Sequence, residues 1–405
     1  KIGVVDVPER QLQTDYSIDL VNDGNLLYVA TSGFGKTVFL TTCALSLAMT
    51  NRVELMNMYL LDFGNSGLVQ LNRLHHTADY ITFDDQERLG KFINLINREI
   101  TDRKNRLAKQ SVQNIHVYNQ VSEEKMKAIV ILIDNMDAIK ELGYDAEEFF
   151  QRVLRDGTNI GLYVLGTASR SSGIKYSLFG NFRNKICGFV SDGSDVSTVV
   201  GRTPYKTVEV KGRCLVKYED AICYMQIYTM TEFDNEIDYN DGIKRIINKI
   251  NSIYPGVTAP RIPVLPDELD YTRLLQYVTD SNRNGHIYIG LDHEWVQPTE
   301  IQINESPFLI IGESSRGKTN VLQVILNQII GNGEVYLSDS NSMDLYVYKN
   351  NMSINYLNGD ISKFIQDIEK VISGRTVQMN KLLSENPGIN PKGLVGQLPR
   401  VFIVI

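Results

Sequence analysis

A short apolar strand, a Gly/Ser-rich loop, Gly-Lys-Thr and an apolar helix follow one another twice in this chain. That duplication limits the fold more than any other feature. The first copy is GNLLYVATSGFGKTVFLTTCALSLAM (24–49) and the second ESPFLIIGESSRGKTNVLQVILNQII (305–330). The two lysines, Lys36 and Lys318, lie a domain's length apart, so the repeating unit is a domain and not a solenoid turn. The correspondence extends outward. MYLLDF (58–63) parallels EVYLSD (334–339), each a strand ending near an aspartate, and AIVILID (128–134) parallels RVFIVI (400–405). Strands that are nearly continuous apolar runs, alternating with helical patterns, predict a parallel sheet covered on both faces.

The loops carry the chemistry. The pattern G-x-x-x-x-G-K-[ST] wraps phosphates in backbone N–H groups at a helix N-terminus, with lysine reaching the terminal phosphates and the hydroxyl meeting Mg²⁺. Gly312, Glu313, Ser314, Ser315, Arg316, Gly317, Lys318 and Thr319 satisfy it fully. Thr31, Ser32, Gly33, Phe34, Gly35, Lys36 and Thr37 do so after an initial Ala30 in place of glycine. If that position needs a positive φ, alanine costs on the order of 1–2 kcal/mol; if φ is negative it costs almost nothing. Both octets are candidate nucleotide sites for ATP and Mg²⁺, with Thr37, Asp134 and Thr319 as candidate metal contacts through the nucleotide. The predicted fold class is α/β: tandem RecA-like P-loop NTPase domains with mostly parallel sheets flanked by helices, the second copy truncated.

Hydrolysis needs more than a cradle. Asp134 ends a strand where a Mg²⁺-shell carboxylate belongs, but the next residue, where a catalytic glutamate is usual, is Asn135. Asparagine orients a water without taking its proton, and losing a placed base costs about 10²–10⁴ in rate. Asp137 is expected to start or cap the next helix. The first site therefore reads as binding without efficient turnover, with no confident catalytic residue, and whether the chain is an active ATPase stays open. The second copy stops at Ile405, where a matching acid would begin.

Four of the eleven prolines, Pro255, Pro260, Pro263 and Pro266, fall in one short window, which proline makes unfit for helix or central strand. The predicted organisation is an ATPase domain with degenerate motifs over 1–254, a Pro-rich linker over 255–268, and the N-terminal part of a second ATPase domain over 269–405. Cys43, Cys187, Cys214 and Cys223 show no metal spacing and read as buried free thiols. His75 and His76 are read as plain surface, and Trp295 as a packed residue ahead of the second domain's first strand. With 43% apolar and 22% charged residues the chain is a folding, globular one. Its net charge of −7 disfavours DNA, whose binding draws on Lys and Arg.

With both copies in view the chain resembles the FtsK/SpoIIIE family of P-loop motors. INREITDRKNRLAKQSVQNIHVYNQ (96–120) is similar to the family's long basic helix. VILIDNMDAI is similar to its Walker B strand. GTNIGLYVLGTASR (157–170) is similar to the segment after it, with Thr167 and Ser169 near the usual polar sensor. VVDVPERQLQ (4–13), the degenerate tandem and the acidic balance resemble the family's type VII secretion branch. The resemblance implies a module at the cytoplasmic face of the cell membrane, its anchor outside this sequence. It also implies self-association as a hexamer in the full-length protein, contact with other secretion-system components and docking of WXG100-type secreted proteins. Two other readings remain: a DNA translocase of the FtsK/SpoIIIE type, and a structural tandem that binds neither nucleotide nor cargo.

Overall fold

The computed structural model describes residues 1–278, 286–302, 307–386, 388 and 390–405. It divides into two compact units, Lys1–Ile262 and Pro263–Ile405.

The first unit is built on ten strands: β1 (Gly3–Val7), β2 (Leu12–Tyr16), β3 (Leu26–Val29), β4 (Met56–Asp62), β5 (Thr77–Thr82), β6 (Ala128–Asp134), β7 (Leu162–Ala168), β8 (Asn184–Cys187), β9 (Arg213–Tyr218) and β10 (Ala221–Ile227). They form one sheet in the order β2-β1-β10-β9-β8-β3-β7-β6-β4-β5. From β8 to β5 every pairing is parallel, and from β8 to β2 every pairing is antiparallel. The parallel half follows from sequence. All seven residues of β4 and of β7 are buried, as a strand covered on both faces requires.

Helices cover both faces. Lys36–Thr50 and Glu236–Ile253 pack on one side, burying Phe39, Leu40, Ile243, Ile247 and Ile250. Gln86–Lys109 and Tyr144–Asp156 pack on the other. In Gln86–Lys109 the buried Leu89, Phe92, Ile96, Ile100, Arg103 and Leu107 recur at helical spacing, and Asp85 caps its start by accepting from the N–H of Arg88. Buried Arg103 is matched by Glu99 at 2.9 Å and by the carbonyl of Ile160 at 2.9 Å.

The second unit holds β13 (Glu334–Asp339) between β14 (Ile354–Asn358) and β15 (Val401–Val404), all parallel. An antiparallel hairpin of β11 (Ile287–Leu291) and β12 (Pro298–Ile301) stands apart from that sheet. Its two longest helices are Lys318–Ile329 and Ile361–Glu385. Of the strand expected before the second loop, Glu305 and Ser306 lie outside the described residues. Residues 307–311 take no regular structure. In the first unit β3 is held between β7 and β8. Among the described residues of the second unit no strand pairs with 307–311, and Leu309 and Ile311 stand exposed.

Two smaller expectations also change. His76 is fully buried, because the turn into β5 drops its ring edge-on against Tyr254 with Nε2 2.8 Å from the carbonyl of Asn51. Trp295 follows β11, in the turn between β11 and β12, so it does not precede the unit's first strand. Much of the segment after Tyr254 lies against the first unit. Ala259 and Ile262 are buried, and Ala259 N–H donates to the carbonyl of His75 at 2.8 Å. The four cysteines are free and buried. No helix among the described residues is long and apolar enough to cross a membrane.

Candidate functional site

The tips of β3, β6 and β7 end side by side because these strands are parallel neighbours, and the helix after β3 starts at that edge. The loop from Thr31 to Gly35 turns through left-handed glycines, Gly33 at φ 87° and Gly35 at φ 90°. These are conformations that disfavour a side chain. Among the described residues nothing lies within 4 Å of where a Cβ on Gly33 would stand, so the loop is open on that side. Ala30 is buried and has no positive φ, nor does its counterpart Gly312. Of the two possibilities the alternative without strain holds, and alanine serves there as well as glycine.

Lys36 Nζ folds back on its own loop, 3.0 Å from the carbonyl of Ala30 and 3.1 Å from Ser169 Oγ at the end of β7. Partial burial lowers its pKa, while Asp134 and Asp137 oppose that shift. Thr37 Oγ1 donates to Asp134 Oδ2 at 2.9 Å, and Thr167 Oγ1 donates to the other oxygen of the same carboxylate. Asn135 takes a left-handed φ of 66°. Its N–H donates to Thr167 Oγ1 at 3.0 Å, and its Nδ2 to the carbonyl of Phe63 at 3.1 Å. Asp137 lies in the 3-10 turn Met136–Glu141 and accepts from Ser169 N–H at 2.8 Å.

A cavity of about 470 Å³ gathers Ser32, Gly33, Gly35, Lys36, Thr37, Asp134 and Asn135. Of the first octet, Ala30, Thr31 and Phe34 build its frame: Thr31 N–H donates to the carbonyl of Phe189, and the Phe34 and Phe189 rings lie 4.5 Å apart. An open N–H cradle fits a polyphosphate, and a hydroxyl beside a carboxylate fits a hard divalent cation such as Mg²⁺.

The same cavity is walled by residues that the motifs do not reveal. Gly64, Asn65 and Gly67 come from the loop after β4, and a Cβ on Gly67 would overlap Thr37. That loop hangs from Asp62, whose carboxylate accepts from Leu68 N–H at 2.9 Å, Gly64 N–H at 3.3 Å and Tyr80 Oη at 3.2 Å. Burial, with Asp134 adding to it, raises the Asp62 pKa. The second unit repeats the arrangement: Asp339 accepts from Leu345 N–H at 3.1 Å and Tyr356 Oη at 2.7 Å. The signal was an aspartate ending each second strand, followed six residues later by leucine and then by a tyrosine in the next strand.

In the second octet Gly317 (φ 85°) and Ser315 (φ 61°) shape a similar turn, and Thr319 opens the helix behind Lys318. Lys318 Nζ donates to the carbonyls of Gly312 and Glu313, both at 2.7 Å. Arg316 and Glu313 are highly exposed and 3.9 Å apart, and Ser314 lies in the exposed turn between them.

Residues 1–210 match the FtsK/SpoIIIE family. The ESX secretion system protein EccC of Geobacillus thermodenitrificans is 33% identical over 95% of this chain and 26% of its own length. YukB of Bacillus subtilis is 30% identical over 92% of this chain and 25% of its own length. The chain thus spans about a quarter of the curated relatives it matches. The solved structure of EssC (ATPases 2 and 3) from Geobacillus thermodenitrificans superposes with a TM-score of 0.89 at 32% identity, over 95% of this chain and 74% of that one. Thermomonospora curvata EccC (ATPases 2 and 3), solved in complex with a signal sequence peptide, shares the fold at a TM-score of 0.65 and 20% identity, over 99% of this chain and 74% of that one.

Proposed function

The chain belongs to the FtsK/SpoIIIE family, and from that premise we propose that its first unit is an ATP-holding module of a type VII protein-secretion motor with little hydrolysis of its own. The observation that carries this reading is the tip of β6. Asp134 stands beside Thr37, ready to share a Mg²⁺ shell, but the following position offers a carboxamide whose Nδ2 is tied to Phe63. Asp137 is turned onto Ser169 N–H and is absent from the cavity lining. Among the described residues no carboxylate besides Asp134 lines that cavity. Loss of a positioned base lowers the rate by about 10²–10⁴.

The N–H groups from Ser32 to Thr37, apart from that of Phe34, which donates to the carbonyl of Thr31 at 3.3 Å, would hold the phosphates. Lys36 would leave the Ala30 carbonyl for them, and Thr37 with Asp134 would face the metal. Mg²⁺, when bound, supplies charge neutralisation at the terminal phosphates. Thr167 keeps the Asp134 carboxylate aimed, and Asn135 orients water without accepting its proton.

The wider role follows the relatives. A related EccC structure carries a signal sequence peptide, which supports docking of WXG100-type substrates by this tandem. The secretion-system names of the relatives support work beside other secretion-system components; assembly as a hexamer at the cytoplasmic face of the membrane, with these domains regulating the motor, is part of the same proposal. Titration of ATP·Mg²⁺ with phosphate release followed in parallel tests the reading. Binding lost in Lys36→Ala, with release far below one per second in the wild type, is the expected result. Lys36-dependent turnover at about one per second or faster would overturn it.

A further inference from the structure

The nucleotide cavity has a second half that the phosphate-binding motif leaves unassigned. Lys211, Gly212, Gln226, Ile227, Thr229 and Phe233 wall it, and all come from the antiparallel extension or its immediate flanks. This wall is fastened to the P-loop. Gly212 N stands 3.6 Å from where a Cβ on Gly35 would be, and Thr42 Oγ1, on the P-loop helix, donates to the carbonyl of Tyr228 at 2.9 Å.

Among the described residues Phe233 is the one aromatic side chain in the lining. It is 44% exposed, and its ring is steadied from one side by Tyr239, with centroids 5.0 Å apart and planes at 67°. An anchored ring with exposed surface, in a cavity that also holds the P-loop lysine, is a platform for a planar base.

We propose that Phe233 stacks the base of the bound nucleotide and that the site takes adenine and guanine nucleotides with little discrimination. The second half of this proposal comes from Gln226. Its Nε2 donates to the carbonyls of Lys211 at 3.2 Å and Ile227 at 3.5 Å, and its Oε1 accepts from Arg213 Nε at 2.9 Å. That carboxamide holds its own turn in place and has little left with which to read a base edge. Lys211 and Thr229 stand exposed, where water satisfies them whichever base is present. Sharp selection needs buried polar groups that the wrong base leaves unpaired, whereas stacking tolerates any π-face.

The inference rests on the reading that this site holds a nucleotide, and the test separates the two. ATP, GTP and inorganic tripolyphosphate, each with Mg²⁺, are titrated calorimetrically into the whole chain carrying Lys318→Ala, so that the second loop stays silent. Phe233 is then kept or changed to Ala or Trp, and melting temperatures verify folding. ATP and GTP should bind within about tenfold of each other. Phe233→Ala should weaken both by about fivefold or more while sparing tripolyphosphate, and Phe233→Trp should restore them. A preference for one base beyond about tenfold, or a smaller loss in Phe233→Ala, overturns the proposal and leaves the nucleotide reading intact. Absence of binding by all three ligands overturns both.

Discussion

Thr167→Val should unfold the first unit earlier by removing one oxygen atom. Thr167 is fully buried in β7. Its hydroxyl donates to Asp134 Oδ1 and accepts the N–H of Asn135 at 3.0 Å. Valine has nearly the same shape and suits a strand equally well, so packing and propensity change little; the loss is the hydroxyl itself. It leaves a part-buried backbone donor and one buried carboxylate oxygen without their partner. An orphaned donor costs about 1–3 kcal/mol and a charged acceptor more. Asp134 keeps Thr37 Oγ1 at 2.9 Å on its other oxygen, which limits the total to about 2–4 kcal/mol. In a unit of this size each kcal/mol is worth about 2–4 °C, so the melting temperature should fall by about 5–15 °C. Urea denaturation with calorimetry reads both quantities, and Thr167→Ser, which keeps the hydroxyl, is the control. A loss below about 1 kcal/mol in Thr167→Val, or an equal loss in Thr167→Ser, would refute the reasoning.

Two further outcomes are expected. Asn135→Glu should raise single-turnover phosphate release by less than about tenfold, because glutamate is poorly suited to a φ of 66° and cannot donate to the Phe63 carbonyl as Nδ2 does. A gain of about a hundredfold would show that residue type alone limits the chemistry. Burial pushes the His76 imidazole below its ordinary pKa, partly opposed by its hydrogen bond to Asn51. A depressed folded-state value means that its contribution to stability is complete above about pH 6.5 and is lost as pH falls from there through the folded pKa. The urea midpoint should drop over that window in the wild type and drop less in His76→Gln; identical profiles would remove His76 from the account.

The cradle and its partners were legible in the chain because each is local. Lys36 and Thr37 sit beside their glycines, and Asp134 ends an apolar run that could only be a central strand. Asn135 was legible for the same reason, though its tie to the Phe63 carbonyl was not. The effect of Ala30 was not legible, since it depends on the sign of one dihedral angle. Lys211, Gln226 and Phe233 escaped notice because they reach the cavity from well over a hundred residues away, through a hairpin with no motif of its own. His76 was misread because its burial is set by Asn51 and Tyr254, neither near it in sequence. The apolar run at 307–311 was expected to be a strand from its composition, but a strand is defined by the neighbour that bonds it.

The sheet of the first unit also sets an order of events during synthesis. β1 finds β2 at once, but its other neighbour, β10, is made more than two hundred residues later, with Gly3 paired to Ile227. At about 5–20 residues per second, the first strands wait on the order of 10–40 s for that partner. The residues of the P-loop, by contrast, are made early, but β3 gains its neighbours only with β7 and β8. A ribosome-bound chain would therefore hold a formed phosphate cradle only after β8 has been made, and still before the wall at Gly212 and Phe233 exists to enclose it. The pocket is completed by one of the last pieces of the unit to emerge.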